Sequence, residues 1–252
     1  MANRTVVISV VNDFALYDRF FRNSAYLAGC ELVPFDNRER NETIPVLYNR
    51  FFESFDYTRP GWIVLVHQDF EFHDSLTAWT EQLNPNAIYG PHGARTQRRF
   101  FGLYYQWRIS GLITMANRDG SHPFPMGQFE PLGTLTETFD CCCLFVHSEW
   151  IRRTGFRFDE NLSFDLYGED LSIAAKEYHQ TNSCIIPIPA THYAFHPVPA
   201  RYTEQWRYLC GKYKHCCYTS ICSHYIGTPN ILWYIQARVK LWIMRLLNRL
   251  KR

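Results

Sequence analysis

The chain has 252 residues, of which 46% are hydrophobic and 20% charged, and its formal net charge is +2. This composition excludes an intrinsically disordered chain, which has few aromatic residues and a high net charge. The small net charge also argues against nucleic acid as a partner, because such binding needs a strong positive field. The length allows one large domain with a full core. We predict that residues 1–200 form this domain and that residues 201–252 form a helical extension.

The nine cysteines do not suggest a disulfide framework, because their number is odd and several adjoin one another. The apolar run near the amino terminus is too short for the core of a signal peptide. No stretch of about 20 residues is free of charge, as a membrane-spanning helix requires. We therefore expect a reducing, cytoplasmic compartment and no spanning helix.

Strands and helices alternate over the first 70 residues. The apolar, β-branched runs Thr5–Val11, Glu31–Phe35 and Trp62–Val66 predict strands, and the helical spacing of Leu16–Leu27 and Ile44–Phe55 predicts helices between them. This alternation predicts an α/β fold with a mostly parallel central sheet flanked by helices.

The second half of the chain has a different pattern. A strand over Arg108–Met115 followed by Asp119-Gly120 predicts a hairpin. Further strands are predicted at Cys141–Val146 and Cys184–Ile188, with a short helix at Leu171–Tyr178 between them. No internal repeat divides the chain.

Polar residues follow each of the first three strands directly. They are Asn12 and Asp13, then Asp36, then the run His67-Gln68-Asp69. Ligands of open α/β sheets bind at the carboxyl ends of strands, so these residues predict a binding site. A carboxylate such as Asp69 can hold a divalent cation, although an aspartate in this place can also cap a helix.

Two later segments carry further candidates. Glu169 and Asp170 precede a predicted helix, where a carboxylate acts either as a general base or as a helix cap. His192 follows the strand Cys184–Ile188 and is either a structural histidine or a second metal ligand, which would favour Mn²⁺ over Mg²⁺.

Taken in order, these segments resemble the inverting GT-A glycosyltransferases of the family-2 type, whose fold is Rossmann-like. The resemblance is closest to small bacterial members with His-Gln-Asp in place of the usual Asp-x-Asp, and it covers residues 5–197. The matching segments are ISVVND (Ile8 to Asp13), IPVLYN (Ile44 to Asn49), WIVLVHQDFEF (Trp62 to Phe72), IYGPHGA (Ile88 to Ala94), TFDCCCLFVHSE (Thr138 to Glu149), FRFDENLSFDLYGEDL (Phe156 to Leu171) and ATHY (Ala190 to Tyr193).

The resemblance implies a role for each matching residue. Asp170 is implied as the catalytic base with Glu169 beside it, and Asp69 and His192 are implied as ligands of Mn²⁺ or Mg²⁺. The residues implied in binding the donor are Asn12, Asp13, Asp36, His67, Gln68 and Asp140. His67 replaces an acid of the usual motif, which removes a charge at that position.

The last segment, Ile231–Arg252, has six Lys or Arg residues and no acid. Its apolar residues recur at helical spacing, which predicts a basic amphipathic helix lying on a membrane surface. The residues expected at the membrane are Trp233, Arg238, Trp242, Arg245 and Arg249. The alternative is a helix that packs on the domain or on a second subunit.

The resemblance therefore implies a metal-dependent, inverting glycosyltransferase of surface polysaccharide biosynthesis, and the last segment predicts that it is peripheral on the inner face of the membrane. The expected donor is a nucleotide sugar, a UDP-sugar first, and the expected acceptor is a glycan or lipid-linked glycan. The alternative is a non-catalytic nucleotide- or sugar-binding scaffold of a glycan assembly complex. A nucleotidyltransferase is less well supported, because no Gly-rich, Lys-containing phosphate loop lies near the amino terminus.

Overall fold

The computed structural model describes residues 4–99, 104–194 and 199–227, together with residues 235, 238–243 and 246. In chain order, the strands are β1 (Arg4–Val11), β2 (Glu31–Asp36), β3 (Gly61–Val66), β4 (Phe70–Phe72), β5 (Ile88–Gly90), β6 (Gly93–Arg99), β7 (Tyr104–Met115), β8 (Phe124–Gln128), β9 (Leu135–Thr136), β10 (Thr138–Phe139), β11 (Cys143–His147), β12 (Ser183–Ile185), β13 (Ala190–His192), β14 (Tyr218–Ser220) and β15 (His224–Ile226). The α-helices are α1 (Phe14–Tyr17), α2 (Ile44–Ser54), α3 (Leu76–Thr80), α4 (Ser148–Thr154), α5 (Tyr167–His179) and α6 (Ala200–Lys212).

The central sheet has seven strands in the order β2-β1-β3-β11-β5-β12-β9. Strand β1 is parallel to both β2 and β3, and β12 is parallel to β5. Strand β11 runs antiparallel to β3 and β5, and β9 runs antiparallel to β12. Five strands thus share one direction, and the predicted α/β fold with a mostly parallel central sheet is confirmed.

A second sheet follows the order β10-β6-β7-β13-β4, with β8 paired to β7. Strands β7 and β8 are antiparallel, as the predicted hairpin around Asp119-Gly120 requires. The pairing of β13 with β4 sets His192 opposite Phe70. This register brings the end of β13 to the segment that directly follows β3.

Two apolar cores lie on the two faces of the central sheet. Ile63 and Leu65 of β3 belong to one core, and Val64 and Val66 belong to the other. All six residues of β3 are buried. A strand covered on both faces is apolar throughout, which explains the unbroken run WIVLV.

The first predicted helix is divided in the structure. Helix α1 has four residues and is followed by a short π-helix over Asp18–Arg22 and a 3₁₀ helix over Ala25–Leu27. This irregular path buries the side chains of Tyr17, Phe20 and Phe21 in one core. The helical spacing of the apolar residues in the sequence predicted one continuous helix and did not predict this irregular path.

The segment after residue 200 also differs from a purely helical extension. Helix α6 buries Tyr202, Trp206 and Leu209 in the same core that contains Ile63 and Leu65, and β14 and β15 then form a hairpin. The indole Nε1 of Trp206 donates to the carbonyl of Tyr225, 2.8 Å away. Residues 200–226 therefore contribute to the core of the main fold.

Candidate active site

A cavity of about 750 Å³ opens at the carboxyl ends of β1 and β3. The chain leaves β1 to form β2 on one side and returns to form β3 on the other, so the cavity lies at a switch point of the sheet. Open α/β sheets bind ligands at such points, and small-molecule sites occupy about 300–1,000 Å³. The polar lining residues used below are Asn12, Asn37, His67, Gln68, Asp69, Asp140, Asp165, Glu169, His192, Arg201 and Lys240.

Gln68 joins the ends of β1 and β3. Its Oε1 accepts hydrogen bonds from the backbone nitrogens of Asn12 at 2.9 Å and Asp13 at 3.0 Å, and its Nε2 donates to Oδ1 of Asn12. The middle residue of His-Gln-Asp therefore holds the loop after β1 in place. His67 and Asp69, on either side of it, remain directed to the cavity.

His67, Asp69 and His192 form a cluster whose ligand atoms all lie within 4.8 Å of one another. Nε2 of His192 lies 3.4 Å from Oδ1 of Asp69. Neither ring nitrogen of His192 makes a hydrogen bond of good geometry in the described structure, although the residue is only 6% exposed and its Nε2 faces the carboxylate of Asp69. Buried polar atoms are nearly always satisfied, so these orphaned nitrogens fit a metal ligand.

The hydrogen bonds around His67 set its tautomer. The hydroxyl of Tyr167 donates to the carbonyl of Cys141 at 2.8 Å, so its oxygen accepts from Nε2–H of His67 at 2.7 Å. Nδ1 of His67 then carries the free lone pair. Hydrogen bonds of this kind orient histidine ligands in metal sites.

The protonation states in the cluster suit a cation. Burial lowers the pKa of His67, which keeps the ring neutral. Burial opposes ionisation of Asp69, but His192 and His67 hold the pKa of its carboxyl below the ordinary value. Burial likewise opposes charging of His192, but the carboxylate of Asp69 outweighs burial and raises the pKa of the ring. A divalent cation can replace that proton as the partner of Asp69.

A second group, formed by Asp140, Cys142 and His192, also has the spacing of a metal site. The two groups share His192, so they describe alternative positions for one ion. Burial raises the pKa of the Cys142 thiol well above its ordinary value, and metals bind the thiolate. The group with two histidines and Asp69 is therefore the better fit.

Glu169 is the carboxylate that α5 directs to the cavity. It is 5% exposed, and the hydroxyl of Ser220 donates to its Oε1 at 2.8 Å. Burial, and secondarily the carboxylate of Asp140, raise the pKa of Glu169 to about 8. A carboxyl group with a pKa near neutrality is suited to general acid–base chemistry.

Gly168 allows α5 to begin directly against the loop that carries Asp140. A Cβ atom at this position would lie 3.0 Å from the carbonyl oxygen of Asp140. The amide nitrogen of Gly168 also donates to Sγ of Cys141 at 3.2 Å. The close approach to the backbone of Asp140 therefore favours glycine as the first residue of Gly-Glu-Asp. The same packing places Glu169 beside Asp140.

Asp170 is directed elsewhere. Its Oδ1 accepts from Nζ of Lys212 at 2.7 Å and from the hydroxyl of Tyr213 at 2.8 Å, and it does not line the cavity. Nζ of Lys212 also lies 2.8 Å from Oδ2 of Asp159. Successive helical residues point about 100° apart, so Asp170 holds α5 to α6 while Glu169 faces the cavity.

The residues expected to bind the donor have different environments. Asn12 and Asp140 line the cavity. Asp13 caps α1 through Leu16 N at 3.1 Å and lies 3.0 Å from Arg118. Asp36 is exposed and forms an ion pair with Arg38, whose hydrogen bonds lower the pKa of the carboxyl.

Four polar lining residues, namely Asn37, Asp165, Arg201 and Lys240, were not predicted from the sequence as site residues. Asn37, one position beyond Asp36, lines the cavity, as does Arg201, whose Nε donates to Asp165 at 2.8 Å. Lys240 reaches the cavity from the C-terminal segment, and burial lowers the pKa of its ammonium to about 8. The sequence showed that the C-terminal segment is basic, but it did not show that Lys240 contacts the cavity.

The residues expected at a membrane are only partly described. Trp233, Arg245 and Arg249 lie outside the described residues. Arg238 is exposed, and Trp242 is 62% exposed. None of the described helices combines the length and the apolar character needed to cross a bilayer.

No family model matches the chain, and no curated protein matches it. The structure is similar to that of A197 from STIV, with 12% identity, a TM-score of 0.40, and coverage of 76% of this chain and 86% of that chain. It is also similar to GalNAc-T7 with UDP, GalNAc and Mn²⁺, with 10% identity, a TM-score of 0.44, and coverage of 76% of this chain and 44% of that chain. The chain thus spans less than half the length of the second structure, and both likenesses are too distant to assign a function.

Proposed function

We propose that the protein transfers a glycosyl group from a nucleotide-sugar donor to an acceptor hydroxyl, with a divalent cation as cofactor. The observation that carries this proposal is the placement of the His67, Asp69 and His192 cluster and of Glu169 on the walls of one cavity at the switch point of the sheet. The ordered segments that resemble GT-A glycosyltransferases of the family-2 type support the same reaction class.

The charges of the cavity support a need for the cation. Among the described lining residues, four carry carboxyl groups, namely Asp69, Asp140, Asp165 and Glu169. Arg201 is already paired with Asp165. Glu169 is mostly protonated near pH 7 and Lys240 adds one cation to the wall, but the carboxylates of Asp69 and Asp140 would still repel a nucleoside diphosphate that approached them without a counter-ion.

Asp69, His67 through Nδ1 and His192 would hold this cation. When bound, a divalent cation offsets the negative charge that builds on a leaving diphosphate. Two imidazoles and one carboxylate favour Mn²⁺ over Mg²⁺, because nitrogen is a softer ligand than oxygen.

We propose Glu169, in place of Asp170, as the general base. Glu169 lines the cavity, whereas the carboxylate of Asp170 is held by Lys212 and Tyr213. The acceptor oxygen attacks the anomeric carbon as its proton passes to Glu169, and the bond from that carbon to the diphosphate oxygen breaks. Attack opposite the leaving group inverts the anomeric centre, and holding both substrates in one cavity supplies the orientation that this displacement needs.

The donor has a natural position at the ends of β1 and β2. Asn12 and Asn37 line the cavity there. The Nδ2 of Asn37 donates to the carbonyl of Glu42 and its Oδ1 accepts from the amide of Glu42, so Asn12 is the side chain proposed to contact a base or ribose. Asp140 lines the same cavity near Glu169, and we propose that it contacts the sugar or the acceptor. We infer a UDP-sugar as the first donor to test and a glycan or lipid-linked glycan as the acceptor, on the cytoplasmic face of a membrane.

The first experiment measures thermal unfolding with a panel of nucleoside diphosphates, with and without Mn²⁺. A ligand at about 100 times its Kd stabilises a protein by about 2.7 kcal/mol, which raises the Tm of a chain of this size by roughly 5–10 °C. We expect one nucleotide to do so only with Mn²⁺, and Asp69→Ala to abolish the effect. Asp56→Ala is the control, because Asp56 is an exposed turn residue bonded to Thr58.

The panel also tests the proposal against its alternative. Absence of a shift with every nucleotide in the presence of Mn²⁺ would contradict nucleotide-sugar chemistry. A scaffold that binds a nucleotide or sugar without turning it over would show the shift, and its cellular function would survive Glu169→Gln.

A further inference from the structure

The described part of the C-terminal segment has an inner face that is attached to the main fold. Residues 238–243 are helical. Leu241 is 2% exposed and belongs to the core that contains Trp206. Nζ of Lys240 lies 3.3 Å from the carbonyl of Ile221 and 4.8 Å from the ring centroid of Trp107. The segment is therefore seated on the fold and forms part of the cavity wall.

The outer face of the same segment is apolar and open to solvent. Five side chains there are between 42% and 62% exposed, and their spacing of four, three, one and three residues forms one stripe along a helix. They are Ile235, Val239, Trp242, Ile243 and Leu246. Elsewhere in the described structure, the exposed large hydrophobic side chains are scattered over separate elements. A concentrated apolar stripe of this kind marks an interaction surface.

The charges of this region identify the kind of partner. No Asp or Glu occurs after Glu204, whereas residues 205–252 contain nine Lys or Arg residues, seven of them besides Lys212, which is paired with two aspartates, and Lys240, which lines the cavity. A second copy of the chain placed on this stripe would bring two cationic segments together, which like-charge repulsion disfavours. An anionic lipid surface attracts the same residues, and the apolar stripe can enter the boundary between headgroups and acyl chains.

We propose that the stripe Ile235, Val239, Trp242, Ile243 and Leu246 docks the protein on a bilayer that contains anionic lipid, with the segment lying in the interface. Because Lys240 lies on the inner face of the same helical turn, docking brings the cavity within about one helix diameter, roughly 10 Å, of the lipid. This docking stands apart from the proposed glycosyl transfer, because nucleotide binding is measured without vesicles.

The test is co-sedimentation of the full chain with vesicles of phosphatidylcholine alone and of phosphatidylcholine mixed with phosphatidylglycerol. We expect the protein to bind the anionic vesicles and added salt to weaken this binding. We expect Trp242→Glu to lower the affinity for these vesicles by about tenfold or more. Leu135→Glu is the matched control, because Leu135 is 57% exposed on β9, outside the C-terminal segment. Both substitutions are at exposed positions, and unchanged thermal unfolding would verify that each variant folds.

Two results would overturn the proposal. The first is that the protein sediments with neither kind of vesicle, or that Trp242→Glu and Leu135→Glu lose vesicle binding equally. The second is a dimer in solution that Trp242→Glu converts to a monomer without any binding to vesicles, which would assign the stripe to a second copy. If the nucleotide-dependent shift is absent while vesicle binding remains, only the proposed reaction fails.

Discussion

Replacing Glu169 by Gln tests the environment of this carboxyl group directly. Its pKa rises from an ordinary value of 4.5 to about 8 in the folded chain, chiefly through burial. This difference corresponds to about 5 kcal/mol of folding free energy. The folded chain holds the proton more tightly than the unfolded chain, so the stability is fully present below about pH 4.5 and is lost as the pH rises to about 8. The Glu169→Gln variant has no titrating group at this position and would carry no such dependence.

The assay is urea unfolding of both proteins at intervals from about pH 5 to about pH 9, and it needs no substrate. Between the two pKa values, we expect the free energy of unfolding of the wild type to fall by about 1.4 kcal/mol per pH unit more than that of Glu169→Gln. Equal slopes for the two proteins would show that the folded chain does not shift this carboxyl group, and the argument for its burial would fail.

The same variant tests the proposed role. A general base accelerates a reaction by about 10²–10⁴-fold, so the turnover rate of Glu169→Gln should fall by about that factor. The variant should keep the Mn²⁺-dependent rise in Tm on nucleotide binding. The wild-type rate should rise with pH up to about 8, because only the ionised carboxylate accepts a proton. Turnover in the variant with an unchanged pH profile would refute Glu169 as the base.

Three further predictions concern neighbouring residues. Asp170→Asn removes one of the two carboxylates paired with Lys212, whose Nζ keeps Asp159 at 2.8 Å, and should lower the free energy of unfolding in urea by about 1–3 kcal/mol while the nucleotide shift persists. Loss of the nucleotide shift in a variant that still folds would contradict the placement of Asp170 outside the cavity. Asp69→Ala should lower the affinity for Mn²⁺, measured by titration calorimetry. An unchanged Mn²⁺ affinity would reject the cluster as the metal site. Gly168→Ala places a Cβ 3.0 Å from the carbonyl oxygen of Asp140 and should cost about 1–3 kcal/mol, whereas wild-type stability would show that α5 moves freely.

The sheet could be predicted because local patterns determine it. The unbroken apolar run of β3 and the polar residues that follow it are visible without any tertiary contact. The start of α5 was harder to place. It begins at Tyr167, four residues before the predicted helix, because Gly168 packs on the backbone around Asp140, a contact 28 residues away in the chain.

The choice between Glu169 and Asp170 shows the limit of sequence reasoning at the site. Both are acids in the first turn of one helix, and either could cap it or act as a base. Their roles differ because Lys212 and Tyr213 from α6 take the carboxylate of Asp170. Partners that lie 42 and 43 residues away cannot be read from a local motif.

The sequence by itself determined the α/β class, the polar ends of the first strands and the cationic, amphipathic character of the last segment, since each depends on residues close together in the chain. Only the tertiary structure decided which of these residues meet. The pairing of β13 with β4 brings His192 to Asp69, and the seating of Leu241 places Lys240 on the cavity wall. Such contacts depend on strand register and on packing between segments that are distant in the chain, and local sequence patterns do not predict them.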